Sequence, residues 1–151
     1  MLQLADDVFA ARLDNAQIQV DETVLEHLQK IHPACVCAEE NEDGPIAWML
    51  LIPTTHALKE QFLEGDLTEL QLYAQTPLHT TYDALYLCSA MVLPEFQRKG
   101  IAKRLLMDAL ASIRKDHPIN TLFAWTFSQE GQLLAQSLAQ AVQLPLRIKN
   151  A

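Results

Sequence analysis

Basic side chains and a glycine are crowded into one short stretch of an otherwise acidic chain. The basic residues, all within seven positions, are Arg98, Lys99, Lys103 and Arg104. They surround Gly100, although the 151-residue chain has a formal net charge of −8 and only 11 Lys and Arg residues. An apolar run precedes the stretch and a helix-period segment follows it, which predicts strand, tight loop and helix. The first N–H groups of such a helix lack intrahelical partners and attract anions. The stretch is therefore a candidate site for a small polyanion.

The glycine distinguishes an anion site from a solvated helix face, which would account for the charges alone. Gly100 has no Cβ and lets a ligand come close to the backbone, and Ala102 keeps the next turn small. A Walker phosphate loop does not fit, because the Gly-Lys-Ser/Thr ending is missing after Gly100. Glycine placement and strand-to-helix order together favour the anion site.

The elements that must position this loop are predicted from periodicity. Residues 84–93 are nearly all apolar, typical of a central strand buried on both faces. Residues 101–113 have helical spacing, and Pro118 stops that helix. The C-terminal elements predicted next are a strand over 121–127, a helix over 132–142 capped by Ser128, and a strand over 146–149.

The N-terminal half is predicted to contain helices and one hairpin. Residues 1–20 fit a strand or a turn of helix, and the choice stays open. The remaining elements are a helix after Asp21 that Pro33 stops, a hairpin of strands 34–39 and 45–53 around the turn 41–44, and two short helices over 56–63 and 67–74, separated by Gly65 and capped by Asp66.

Composition limits the class of protein. Half of the residues are hydrophobic and 20% are charged, which favours one globular domain over residues 1–151. The acidic balance argues against nucleic-acid binding. Neither a leader nor a run of about 20 apolar residues is evident, so we expect a cytoplasmic protein that does not bind membranes. Cys35, Cys37 and Cys88 have no metal-ligand spacing beyond one C-x-C pair, and no metal site is expected.

The loop between the predicted central strand and the helix that follows it resembles the signature of a known family. The run from Gln97 to Ala102, QRKGIA, is similar to the Q/R-x-x-G-x-G/A signature of the GNAT acetyltransferase superfamily. Val92 and Pro94 stand where that family usually has a valine or isoleucine and a proline, and the order of elements agrees over roughly residues 84–148. The resemblance implies an α/β (α+β) fold. Its central sheet would be mixed, mostly antiparallel and twisted, flanked by helices, and splayed between the strands before and after the coenzyme-binding helix.

The resemblance also implies a function, namely transfer of an acetyl group from acetyl-coenzyme A to a small-molecule or peptide amine by direct attack in a ternary complex. A bulge would splay the central strand, and the pantetheine would enter the gap as a pseudo-strand. The residues that would bind coenzyme are Ala90, Met91 and Val92 for the pantetheine, Gln97, Arg98, Lys99, Gly100, Ile101 and Ala102 for the pyrophosphate, and Ser128 at the family's frequent asparagine position.

Departures from the family appear where side chains would assist the reaction. Cys88 stands at the position of the glutamate that many members use as a base, and the tyrosine that often serves as acid falls near Ala135. Cys88, Glu95 and Ser137 remain candidate catalytic residues. The alternative function is a noncatalytic acyl-coenzyme A binding or protein-interaction domain of the same fold.

Two further features depart from the usual family pattern. Residues 55–82 form an extra segment that could be a lid over the acceptor or a dimer contact. Family members usually end in two strands, whereas only residues 146–149 remain after the last helix. A second subunit could cover the open sheet edge, which makes a homodimer an expectation.

Overall fold

Five strands form one sheet in the described part of the chain, in the order β1-β2-β3-β4-β5. The computed structural model describes residues 22–97, 99–125 and 129–149. The predictions for residues 1–20, the Asp21 cap, Arg98 and Ser128 lie outside these ranges. The strands are β1 (Val36–Asn41), β2 (Gly44–Thr54), β3 (Ala84–Val92), β4 (Thr121–Trp125) and β5 (Leu146–Lys149).

The sheet is mixed, as predicted. The β1–β2 and β2–β3 pairs are antiparallel, and the β3–β4 and β4–β5 pairs are parallel. The antiparallel pairings are the longer ones, with six and eight residue pairs against four in each parallel pairing. Most of the residue pairs in the described sheet therefore belong to antiparallel strands.

Within the described residues, five helices accompany the sheet and confirm the predicted order of elements. They are α1 (Glu22–Ile31), α2 (His56–Leu63), α3 (Glu69–Gln75), α4 (Ile101–Asp116) and α5 (Gln129–Val142). Short 3-10 turns at Pro33–Cys35 and Pro94–Phe96 precede β1 and α4. α5 begins three residues earlier than the predicted range, and no helix in these ranges is long and apolar enough to cross a membrane.

The cap of α3 differs from the prediction. Thr68 Oγ1 accepts a hydrogen bond from the Gln71 N–H at 3.1 Å, and Gln71 Oε1 accepts one from the Thr68 N–H at 2.9 Å. This reciprocal pair satisfies two N–H groups at the helix start, whereas a cap at Asp66 would satisfy one. Asp66 instead donates its N–H to the Gln61 carbonyl at the end of α2, and Gly65 separates the two helices with φ 89°.

The extra segment 55–82 is part of the core. Phe62 of α2 is fully buried and makes ring contacts with Tyr86, Phe123 and Trp125, at centroid distances of 5.0, 5.8 and 6.3 Å. Tyr86 lies on β3 and the other two rings on β4. These side chains share a face of the sheet, and α2 covers it.

Helices α4 and α5 connect parallel strands that are neighbours in the sheet. Such crossovers are almost always right-handed, and both advance in the same direction across the strands, so they carry the two helices along one face. The helices contact each other, and α4 also contacts β1, β2 and β3. The N-terminus of α4 is thereby held near the end of β3.

Candidate functional site: a splayed strand leading into a helix N-terminus

A β-bulge lies in the middle of β3. Leu50 of β2 pairs with Ser89, but the next residue, Leu51, pairs with Leu87. Cys88 is the additional residue on β3, between the two paired positions Ser89 and Leu87. A bulge bends its strand and increases the local twist. Its position separates the half of β3 that pairs with β4 from the half that approaches the loop.

The two central parallel strands part at this bulge. β3 pairs with β4 only from Ala84↔Thr121 to Leu87↔Ala124, and β4 ends one residue later at Trp125. Among the described residues, the pairing with β4 therefore extends along β3 only as far as Leu87. This confirms the splay expected between the strands before and after α4.

Along this open edge, the backbone N–H and C=O groups of successive β3 residues point alternately toward β2 and toward the opening. Leu93 donates its N–H to the Ile46 carbonyl of β2 at 2.9 Å. In an antiparallel pairing, successive residues direct their polar groups alternately toward and away from the neighbouring strand. Met91 then faces β2, whereas Ala90 and Val92 face the opening. Gln97 Nε2 donates to the Val92 carbonyl at 3.0 Å, which agrees with this assignment.

Gly100 begins α4 in a conformation that favours glycine. It is the N-cap, with φ 77° and ψ 9°, and a Cβ placed on it would meet no heavy atom within 4 Å. The backbone at this turn is therefore open to a ligand. The next residue, Ile101, is 9% exposed and packs with Ile46 and Ala47 of β2, which anchors the start of the helix.

The basic residues around the glycine differ in their partners. Arg104 forms an ion pair with Glu39 of β1, and the Lys99 ammonium lies 5.6 Å from the centre of the Phe96 ring. Lys103 has no ion pair within the described ranges, and its side chain is half-buried in the first turn of α4. Of these three cations, Lys103 is the one that has neither an ion pair nor a cation–π contact among the described residues.

The candidate catalytic side chains occupy different surroundings. Cys88 is 5% exposed at the bulge, Glu95 is exposed on the 3-10 turn before α4, and Ser137 is half-buried on α5. Only Cys88 lies on the strand that forms the opening. No group of three His, Cys, Asp or Glu side chains that could hold a metal ion occurs within the described ranges.

A second set of cations was missed by the sequence reasoning. We call it the α2–β5 cationic cluster, and it consists of Lys59 on α2 with Arg147 and Lys149 on β5. Lys59 Nζ and Arg147 Nη1 each lie 3.3 Å from Glu60 Oε1. The hydrogen bond from Lys59 and then the nearby charges of Lys59 and Arg147 lower the pKa of Glu60. The alternation of apolar and basic residues over 146–149 was the available signal, but it does not show what lies opposite the strand.

The bulged, splayed strand and the helix that begins at a left-handed glycine define an acyl-coenzyme A N-acyltransferase type of fold. In agreement, residues 3–140 match the family model described as "Acetyltransferase (GNAT) family". The chain belongs to this family.

Comparisons with individual proteins were made with curated proteins and with solved structures. A search of curated proteins gave no match. Among solved structures, the chain is similar to Chaetomium thermophilum Naa20, whose crystal structure was determined in complex with a bisubstrate analogue. The TM-score is 0.47 at 15% sequence identity, over 85% of this chain and 60% of that chain. The present chain thus matches about three fifths of the length of that protein.

Proposed function

We propose that this protein transfers an acetyl group from acetyl-coenzyme A to an amine in a ternary complex. The observation that carries the proposal is the open edge of β3 between the bulge at Cys88 and the left-handed turn at Gly100. The edge offers strand-type hydrogen bonds, and the turn offers helix N–H groups to an anion. A coenzyme with an amide-bearing arm and a pyrophosphate needs both.

The proposed binding residues follow this division. The backbone groups of Ala90 and Val92 bind the pantetheine amides as an added strand would, and Met91 supports them through its pairing with β2. The loop and helix start from Gln97 through Lys99, Gly100 and Ile101 to Ala102 bind the pyrophosphate. Arg98 and Ser128 belong to the same proposal, although they lie outside the described residues.

The chemistry requires little from side chains. The amine nitrogen forms a bond to the acetyl carbon, the carbon–sulfur bond breaks, the nitrogen gives up a proton, and the thiolate can accept one. A backbone N–H fixed toward the thioester oxygen stabilises the negative charge that develops there, by about 3 kcal/mol in comparable sites. An amine that binds unprotonated needs no strong base, and proximity supplies much of the rate.

A noncatalytic coenzyme-binding domain is the alternative, and one observation favours it. Cys88 occupies the family's glutamate position and is nearly buried, so the bulge carries no carboxylate. Both functions require coenzyme binding, but only the transferase releases thiol. Thiol release from acetyl-coenzyme A, measured with a broad panel of amines, separates the two.

Coenzyme binding itself is tested by calorimetric titration of the folded protein with acetyl-coenzyme A. Gly100→Glu is expected to abolish binding, because it places a carboxylate where the phosphates would lie. Gly65→Glu is the matched control, since Gly65 also has a positive φ and open space around it. Absence of binding to the wild-type protein at millimolar coenzyme would contradict both functions.

The proposal includes a homodimer through the edge of the sheet. β5 is the last strand in the described order, so one of its edges has no strand partner there. Exposed edges invite pairing with another chain. Analytical ultracentrifugation tests this part, and a monomer at high protein concentration would exclude it.

A further inference from the structure

We infer that the amine acceptor carries a carboxylate, and that the α2–β5 cationic cluster binds it through Lys149. This inference rests on the proposed acetyl transfer and names the class of acceptor: amino acids and other amines with an anionic end.

The position of Lys149 next to the opening is the first support. Trp125 follows Ala124, the last β4 residue that pairs with β3, and Lys149 is the partner of Trp125 on β5. Lys149 therefore lies level with the bulge residue Cys88, two strands away. Neighbouring paired strands are about 4.8 Å apart, so β5 is on the order of 10 Å from β3 at the last row that pairs across all three strands, Leu87–Ala124–Ile148, and Lys149 is the next residue. That is within the span of a small acceptor.

The direction of the lysine side chain brings its charge nearer to the opening. The Lys149 ammonium lies 4.8 Å from the centre of the Trp125 ring and 4.6 Å from the centre of the Phe62 ring. The ammonium therefore lies over β4 and α2, on the side of β5 that is nearer to β3. The two rings, 6.3 Å apart and tilted by 72°, limit the positions that the ammonium can take. A cation fixed in this way loses little side-chain entropy when it binds an anion.

The charge balance of the cluster leaves an excess of positive charge. Glu60 is the carboxylate that pairs with Lys59 and Arg147, and His56 Nε2 is 3.9 Å from the same oxygen. Lys149 forms no ion pair with any carboxylate among the described residues. Glu60 thus pairs with two of the three cations of the cluster, and Lys149 is available to a second anion. The cation–π contacts position the Lys149 charge but do not neutralise it.

The test compares ω-amino carboxylates of increasing length with their carboxamides as acceptors, using thiol release. The two compounds of each pair differ in the carboxylate and, through it, in the basicity of the amine, so kcat/KM is compared per unprotonated amine. For wild-type protein we expect kcat/KM to favour the carboxylate by about tenfold at the best length, since one charged hydrogen bond is at stake. Lys149→Gln should remove this preference and leave the KM for acetyl-coenzyme A unchanged. Lys30→Gln, which removes an exposed charge at the end of α1, should keep the preference.

Each result decides the inference. Equal rates for carboxylates and carboxamides, or a preference that survives in Lys149→Gln, would overturn it while leaving acetyl transfer intact. If no amine is acetylated, the proposed function fails, and the inference is then decided by calorimetric binding of the same ω-amino carboxylates to the protein in the presence of coenzyme A. Binding that Lys149→Gln weakens and Lys30→Gln does not would still support a carboxylate site, and binding independent of Lys149 would exclude one.

Discussion

The hydroxyl group of Tyr86 donates a hydrogen bond of 2.5 Å to a carboxylate oxygen of Glu69, and both side chains are buried. Tyr86 lies on β3 two residues before the bulge, and Glu69 is the first residue of α3. A buried carboxylate is costly unless hydrogen bonds satisfy it. The contact therefore fixes the extra helical segment to the central strand.

Loss of this hydroxyl group should destabilise the protein. Tyr86→Phe keeps the ring contacts with Phe62 and Phe123 but leaves the Glu69 carboxylate with one hydrogen bond fewer, which we expect to cost about 1–3 kcal/mol. Urea unfolding measures the change. Tyr73→Phe, on the same helix as Glu69, is a comparison variant for removal of a tyrosine hydroxyl from a half-buried position. A loss below 0.5 kcal/mol in Tyr86→Phe would mean that the contact contributes little.

Gly100 and Gly65 allow backbone strain to be separated from ligand binding. Alanine at either position must adopt a positive φ, so each substitution should cost about 1–2 kcal/mol of stability. Only Gly100→Ala should weaken acetyl-coenzyme A binding, by about tenfold, because its Cβ projects into the space proposed for the phosphates. Thermal unfolding and calorimetry measure the two effects. Similar affinities in the two variants would remove Gly100 from the binding site.

Lys103 and Arg104 should contribute unequally to coenzyme affinity. Lys103 has no ion pair in the described structure, whereas Arg104 is paired with Glu39. We expect Lys103→Gln to raise the Kd for acetyl-coenzyme A about two- to fivefold and Arg104→Gln to raise it less. The difference should shrink in 0.5 M salt, since exposed charges are screened. A larger effect of Arg104→Gln would show that the ion pair with Glu39 breaks when coenzyme binds.

Stability should decrease as the pH falls below about 6.5, the ordinary pKa of histidine. The Nδ1 of His117 accepts the Tyr82 N–H at 3.4 Å. Burial, and then the neighbouring His32, lower the pKa of His117, while Asp116 opposes the shift. A lowered pKa means that the unfolded chain binds the proton first. The stability that neutral His117 contributes is therefore fully present above pH 6.5, and it is lost as the pH falls through the lower pKa of His117 in the folded state.

Urea unfolding from pH 8 to 5 tests this dependence on His117. His117→Gln should flatten the decrease, whereas His56→Gln, at a position with 65% side-chain exposure, should not. An unchanged pH profile in His117→Gln would assign the acid sensitivity to groups other than His117.

The three candidate catalytic residues should prove nearly dispensable. Cys88 is almost completely buried, and Glu95 is exposed on the turn. We expect Cys88→Ala, Glu95→Gln and Ser137→Ala each to keep kcat within about threefold of wild type. General acid–base catalysis is usually worth 10² to 10⁴ in rate, so a fall of about 100-fold would identify a catalytic residue. The pH dependence of kcat for that variant would then show whether the residue acts as acid or base.

Most elements of the fold could be predicted because their signals are local. Helix α2 begins and ends where spacing placed it, and β3 and β5 follow their apolar patterns closely. The cap of α3 was also readable, since Thr68 and Gln71 have the spacing of a capping box. Asp66 is a good cap by residue type alone, and this preference gave the wrong residue. The capping-box pattern of Thr68 and Gln71 is therefore sufficient to predict the start of α3 from the sequence.

The candidate site could be predicted only in part, because several of its features depend on distant contacts. The loop glycine and its cations are adjacent in sequence, so an anion site could be proposed from the sequence alone. Arg104 pairs with Glu39, 65 positions earlier, and Lys149 reaches Phe62 of the extra segment. Neither relation has a sequence pattern, since both arise from how strands and helices pack together. A bulge in the central strand was expected from the family resemblance, without a position, and the structure places it at Cys88.

The alternation along β3 provides a direct reporter of ligand binding. Amide protons of Met91 and Leu93 face β2 and should exchange slowly with deuterium even in the free protein, whereas those of Ala90 and Val92 should exchange quickly. Coenzyme bound along the open edge would protect the second pair and leave the first unchanged. A register shift of one residue in β3 would reverse this pattern. The bulge at Cys88 therefore determines which backbone N–H groups face the open edge.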